Sequence, residues 1–191
     1  MLTAHLVKRA LSRRRMAALW CLMVLAASPA AAVNLAGTHW EQVAKRHGLD
    51  PVVLYAVALQ ESQKSRGQGL ASPWPWVTRS PEGSRFYPSR ADAATDLRRL
   101  MSRYKPVQID VGLLQVNLGW HGQKVTDPTD LLDARTNLEI AAGILSAALH
   151  SVPGDPELGL GRYNTYTERL AREYGRKVLA VIGVLHQWGR G

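Results

Sequence analysis

Apolar positions recur at helical spacing over most of this chain, and turn and cap residues fall in the breaks between the recurring blocks. The first block opens at Thr38-His39-Trp40-Glu41, which reads as a capping box, and closes at His47-Gly48. Asp50-Pro51 then supplies an N-cap followed by proline at the first helical position. The helix it starts runs through Val52-Val53-Leu54-Tyr55-Ala56-Val57-Ala58-Leu59-Gln60 to Glu61. Its apolar residues lie nearly all round, which predicts a central buried helix with Glu61 in the last turn.

Residues 63–90 break the pattern. Gly67, Gly69, Pro73, Pro75, Pro81, Gly83 and Pro88 exclude a long helix there. Trp76-Val77-Thr78-Arg79 and Arg85-Phe86-Tyr87 flank Ser80-Pro81-Glu82-Gly83-Ser84 as the arms of one small hairpin. Ser89 caps a helix predicted over 91–104, with Ala94, Leu97, Leu100 and Met101 facing inward. Residues 108–117 form a tight, irregular segment in which Ile109, Val111, Leu113 and Leu114 alternate loosely with polar residues. Later helices are predicted over 136–150, 156–163 and 168–188. The first buries Leu138, Ala141, Ala142, Leu145 and Leu149, with Gly143 placed to admit a close helix contact; the last presents Leu170, Tyr174, Val178, Val181, Ile182 and Leu185. The expected fold is therefore mostly α, of the α+β kind, with one small β-hairpin.

The N-terminus changes how the charge is read. Lys8, Arg9, Arg13, Arg14 and Arg15 precede an apolar stretch over 16–27, and Ser28-Pro29-Ala30-Ala31-Ala32 ends it with small residues. This is the pattern of a cleavable secretory signal over residues 1–32. The apolar stretch falls short of the roughly twenty residues a spanning helix needs, so no stable membrane anchor is expected after cleavage. Ser12-Arg13-Arg14 has a poor continuation for a twin-arginine signal. The whole chain carries +9, but the signal holds five of its 24 basic residues and none of its 15 acidic ones. Residues 33–191 are left with 19 basic against 15 acidic residues, or +4, too mild and too dispersed for a nucleic-acid partner. The one cysteine, Cys21, lies within the signal and has no lipobox before it. The exported part therefore has no disulfide, thiol nucleophile or thiolate metal site. Histidines 39, 47, 121, 150 and 186 lack metal-ligand spacing, and no metal or cofactor is expected. Residues 33–191 make a single domain without internal repeat or low-complexity linker.

Glu61 is the candidate with the most chemistry. A carboxyl group donates a proton near neutral pH only when its pKa is raised, and burial at the end of an apolar helix does that. The partial negative charge of the helix C-terminus acts in the same direction. The same position also suits a solvated helix-end glutamate. Gln115 and Asn117 offer the paired donors and acceptors that suit sugar hydroxyls and N-acetyl groups, and they equally suit a self-satisfied turn. Gly112 permits close backbone approach. Tyr163-Asn164 reads either as site or as core packing plus a helix cap. Trp74, Trp76 and Tyr87 are candidates for stacking on sugar rings or for a local mini-core. Asp110 is either a second catalytic carboxylate or a turn cap, and carboxyl separation decides between those mechanisms.

Taken in order, Glu61-Ser62, then Gly112-Leu113-Leu114-Gln115-Val116-Asn117, then Asn137-Leu138 with Gly143, then Tyr163-Asn164 resemble the soluble lytic transglycosylase domain. That family is related to goose-type lysozymes and cleaves peptidoglycan. The resemblance covers roughly residues 36–170. Ile109-Asp110-Val111-Gly112, Trp74-Pro75-Trp76 and Arg85-Phe86-Tyr87-Pro88 look like the branch that accompanies conjugation and type IV secretion machines. The resemblance implies a lysozyme-like fold acting on glycan strands; the cleavable signal over 1–32 makes a periplasmic location the expectation, and a monomer is expected. It implies that Glu61 is acid and then base, that Ser62 orients it, and that Gln115, Asn117, Tyr163 and Asn164 hold the sugar. Two features depart from the family. The stretch over 63–108 is an insertion placed to reshape or cover the groove, and Thr165-Tyr166-Thr167 replaces the small-Gly ending after Tyr163-Asn164.

Overall fold

The computed structural model describes residues 33–67 and 70–188, so the expected signal segment lies outside the described residues. Helix α1 spans His39–Arg46 and α2 spans Pro51–Ser62. Asp50 caps α2 by accepting from Val52 N–H at 2.6 Å. Leu54, Ala56, Val57, Ala58 and Leu59 are buried, and α2 runs through the core against α1, α7 and the second strand. Trp40 meets Tyr55 edge-on at 5.0 Å and pins α1 to it. The capping box expected at Thr38 does not form. The Thr38 hydroxyl donates back to Leu35 O, and the Glu41 carboxylate accepts from Gly37 N–H instead.

Past α2 the chain builds more sheet than one hairpin. Strands β1 (Gln63–Gly67) and β2 (Leu70–Pro73) pair antiparallel, in a stretch with no alternating pattern to announce them. The expected hairpin is β3 (Val77–Ser80) with β4 (Gly83–Phe86). It extends into a four-stranded sheet because β5 (Asp110–Val111) pairs with β3, and β6 (Val116–Asn117) with β5. Two-residue strands carry too little periodicity to be read locally; their partners define them. The turn between β5 and β6 holds Gly112 at φ 82°. A Cβ there would lie 2.2 Å from Leu131 O and 2.3 Å from Asn137 Nδ2, so both conformation and space require glycine.

Helix α3 (Arg90–Arg103) starts at Ser89, whose hydroxyl accepts from Asp92 N–H. Its buried face is Ala93, Leu97 and Leu100. Ala94 is only partly buried and Met101 is 41% exposed, so the inward stripe is rotated by one residue from the expected one. After the short α4 (Leu118–His121), α5 (Ala134–His150) is capped by Asp133 and buries Leu138, Ala141, Ala142, Leu145 and Ala148. Leu149 is only partly buried. Helices α6 (Pro156–Arg162) and α7 (Glu168–Trp188) pack closely through glycines. A Cβ on Gly161 would lie 1.9 Å from Ala171 O, and one on Gly175 1.9 Å from Glu157 O. The close helix contact expected at Gly143 is thus made elsewhere; Gly143 faces the His47 ring at ordinary contact distance. The fold is mostly α with a small antiparallel sheet, as the sequence pattern predicts. Among the described residues no helix is long and apolar enough to cross a membrane.

Candidate active site

The last turn of α2, the sheet, α4, α5 and the end of α6 enclose an open groove of about 820 Å³. Glu61 lines it together with Arg79 of β3, Asp110 of β5, and Gln115 and Asn117 from the turn and β6. Trp120, His121 and Lys124 stand on one stretch of wall. Arg162, Tyr163, Asn164 and Tyr166 stand on another. Of the insertion over 63–108, Arg79 and Val107 reach the groove. The rest of its described residues build β1–β4 and α3.

Glu61 carries the strongest electrostatic signature. Its carboxyl is pushed up to about 7, chiefly because burial disfavours the charged form. The Tyr174 hydroxyl opposes this by donating to Oε1 at 2.5 Å. The Asp110 charge raises the value further and Arg79 lowers it. A carboxyl group so placed holds and releases its proton near neutral pH, which is the working range of a general acid and base.

Tyr174 is the principal residue that sequence reasoning missed. It lies on the buried stripe of α7 among Ala171, Val178 and Leu185, where periodicity reads it as core. The usable signal was its hydroxyl: a buried tyrosine O–H needs a partner, though spacing along α7 does not say which. Arg79, Trp120, Lys124, Arg162 and Tyr166 were also missed as groove residues, since each arrives from a different element.

Ser62 does not face the groove. It is 1% exposed, its Oγ donates to Leu113 O at 2.6 Å and it accepts from Trp74 N–H at 3.2 Å. It ties the end of α2 to the β5–β6 turn and to the insertion, and Tyr174, not Ser62, holds Glu61. Gln115 does line the groove. It adopts φ 48°, unusual for a residue with a Cβ, and its amide donates to Gly112 O at 2.9 Å. Asn117 also lines the groove, but its side chain is fully used. Nδ2 donates to Val107 O at 3.0 Å and Asp110 Oδ1 at 2.7 Å, and Oδ1 accepts from Gly119 and Trp120 N–H. It is the cap of α4 and a brace for Asp110, not a free sugar ligand.

Tyr163 is brought to the groove, with its hydroxyl committed to Leu114 O at 2.7 Å. Burial and then the Glu61 and Asp110 charges push its pKa well up, so the phenol stays neutral. Asn164 lines the groove and is exposed. Asp110 stands in the same groove with its carboxyl raised by burial, against the Asn117 amide and Arg79 at 3.8 Å. His121 is shifted down by burial and by Lys124.

Trp74, Trp76 and Tyr87 lie outside the groove lining. Trp74 and Trp76 meet edge-on at 5.5 Å, and the Trp74 indole N–H donates to Tyr87 O at 2.9 Å. The Tyr87 hydroxyl bonds Asp96 and lies 3.2 Å from Thr78 Oγ1. Of the two alternatives, sugar stacking and a local mini-core, their contacts are those of a mini-core within the insertion.

Asn137 organises the whole turn. Fully buried, it accepts from Leu114 N–H at 2.8 Å and donates to Val111 O at 2.8 Å and Leu131 O at 2.9 Å. Two backbone groups of the irregular segment and one of the short 3-10 helix Pro128–Leu132 are thereby satisfied. Comparison with protein-family models, with curated proteins and with solved structures finds no match for this chain.

Proposed function

We propose that the protein is a peptidoglycan lytic transglycosylase, cleaving the β-1,4 bond between N-acetylmuramic acid and N-acetylglucosamine and leaving 1,6-anhydromuramoyl ends. The observation that carries this reading is Glu61: a carboxyl sunk in an open groove, with a pKa raised to about 7 and a fixed orientation from Tyr174. The protonated carboxyl delivers its proton to the glycosidic oxygen as the C1–O bond breaks. The carboxylate so formed takes the proton of the C6 hydroxyl while O6 closes on C1. The proton count is restored and no water enters the product. The substrate's own acetamido group shares the positive charge that develops at C1. Gln115, Tyr163 and Asn164 border the path of the sugar.

The groove's charge fits an acidic polymer. Arg79, Lys124 and Arg162 line it against Asp110 and a Glu61 that is partly protonated near neutral pH. Peptidoglycan strands carry carboxylates on their stem peptides. The export signal read over 1–32 and the resemblance to the conjugation-associated branch support a periplasmic enzyme that opens the wall locally for an envelope-spanning machine.

Asp110 supports a second reading. A second carboxylate in the same groove is the group a hydrolysing muramidase uses on water. Mass spectrometry of muropeptides released by the protein, with Glu61→Gln alongside, separates the cases. Anhydromuropeptides from the wild type alone support transglycosylation. Free reducing ends move the assignment to hydrolysis, and binding without cleavage leaves a wall-binding assembly protein.

A further inference from the structure

Two aromatic side chains in the groove are left largely uncovered. Trp120 is 70% exposed and Tyr166 is 80% exposed, the two highest exposures of any large hydrophobic side chain among the described residues. The other aromatics near the core are packed: Trp40 on Tyr55, Trp74 on Trp76. Leaving an indole in water costs the hydrophobic free energy its burial would release, so an unburied ring in a concave site points to a ligand that covers it. The backbone beneath Trp120 is held firmly, because its N–H donates to the Asn117 side chain and its carbonyl accepts from Gln123. Beside it Val107, also half exposed, extends the apolar shelf.

The lining around these rings is basic. Lys124, in the turn after Trp120, lines the groove as well. The Arg162 guanidinium lies 5.9 Å from the Tyr166 ring and is anchored by donating to Ser151 O and Oγ. A flat apolar face beside a fixed positive charge matches a pyranose ring, whose axial C–H groups form an apolar face, when the ring bears an acidic substituent.

We infer that Trp120, from α4, and Tyr166, from the segment after α6, form an aromatic clamp in the groove, gripping the pyranose faces of an anionic N-acetylated glycan strand whose carboxylates meet Lys124 and Arg162. This rests on the peptidoglycan reading of the same groove and assigns its binding energy to residues outside the motifs that suggested that reading. The hydrogen-bond partner of Glu61 is Tyr174 and neither ring, so the clamp acts on affinity and leaves the proton transfer alone.

The test uses Glu61→Gln protein, so that strands are bound and not consumed, and titrates intrinsic tryptophan fluorescence with N-acetylglucosamine hexamer and with peptide-bearing glycan strands. The clamp predicts a fluorescence change that disappears in a Trp120→Phe background and binding about tenfold weaker for Trp120→Ala or Tyr166→Ala. In the active enzyme the same alanine variants raise KM and leave the pH profile of kcat in place, and Trp120→Phe retains most of the affinity. Lys124→Gln weakens the peptide-bearing strand and not the hexamer. Cleavage by the wild type with unchanged KM and affinity in both alanine variants overturns the clamp and leaves the enzyme reading standing. A wild type that neither binds nor cleaves glycan overturns both.

Discussion

The phenol of Tyr174 donates to Glu61 Oε1 at 2.5 Å, joining α7 to the end of α2 across 113 residues of chain. The bond fixes the carboxyl's direction and favours its charged form, while burial and Asp110 favour the neutral form. The balance leaves Glu61 near 7. Tyr174→Phe removes only the donor. The Glu61 carboxyl then rises further, so the alkaline limb of the pH–rate profile moves to higher pH. The loosened carboxyl lowers kcat by about tenfold. A pH–rate profile with an unmoved alkaline limb counts against this role for Tyr174.

Glu61→Gln keeps the shape of the side chain and an oxygen to accept from Tyr174, but has no proton to transfer. Turnover falls by about a hundredfold or more. Stability moves the other way. The folded carboxyl binds its proton more tightly than the ordinary value of 4.5 in the unfolded chain, up to about 7. The native state therefore holds more protons than the unfolded state between those values, and wild-type stability falls as pH rises through that window and then levels off. The loss is about 3 kcal/mol. Glu61→Gln escapes it, so the variant is the more stable protein at pH 8 and close to wild type at pH 4.5. Denaturant unfolding at the two pH values tests this; a pH-independent difference would contradict it.

Asp110 separates the two enzyme readings. With Asp110→Asn an oxygen remains for the Asn117 amide, and the negative charge that raises Glu61 is gone. If Asp110 only braces the turn and tunes the acid, anhydro products persist, activity stays within about tenfold, and the alkaline limb shifts to lower pH. Loss of more than about a hundredfold, from a wild type that releases free reducing ends, identifies a water-activating base.

Asn137→Ala strands Leu114 N–H, Val111 O and Leu131 O in the core. Each unsatisfied buried group costs about 1–3 kcal/mol, so the variant loses about 3 kcal/mol or more and its β5–β6 turn loosens. Chemical denaturation measures the first effect and faster amide exchange at Leu114 the second. Near-wild-type stability would mean that the turn holds itself.

Trp76→Ala should act on stability and not on substrate, because Trp76 packs with Trp74 and against the core beside the groove. The expected loss is about 3 kcal/mol with KM unchanged in whatever fraction remains folded. A raised KM at full stability would return this cluster to the binding site.

The helices were legible because their signals are local. Asp50-Pro51 at the start of α2 and the near-unbroken apolar run after it specify a buried helix within one stretch of chain, and they place Glu61 in its last turn. Glu61, Gln115, Tyr163 and Asn164 were readable as groove residues through their motifs. Other features depend on which distant elements meet. Ser62 and Asn117 have the right side chains for a sugar, yet packing turned their bonds toward Leu113 and Asp110. The strand pairs β3–β5 and β5–β6 rest on a few residues each, beside a turn at Gly112 that packs on Asn137. The aromatic residues that look alike in sequence were sorted by tertiary contacts alone: Trp74, Trp76 and Tyr87 into a mini-core, Trp120 and Tyr166 into the open groove. By itself the sequence determined the helices and the candidate acid, since caps and periodicity act between near neighbours. Only the tertiary structure decided what holds Glu61 and what surrounds it, since a buried hydroxyl or amide is satisfied by whichever partner the packing brings within reach.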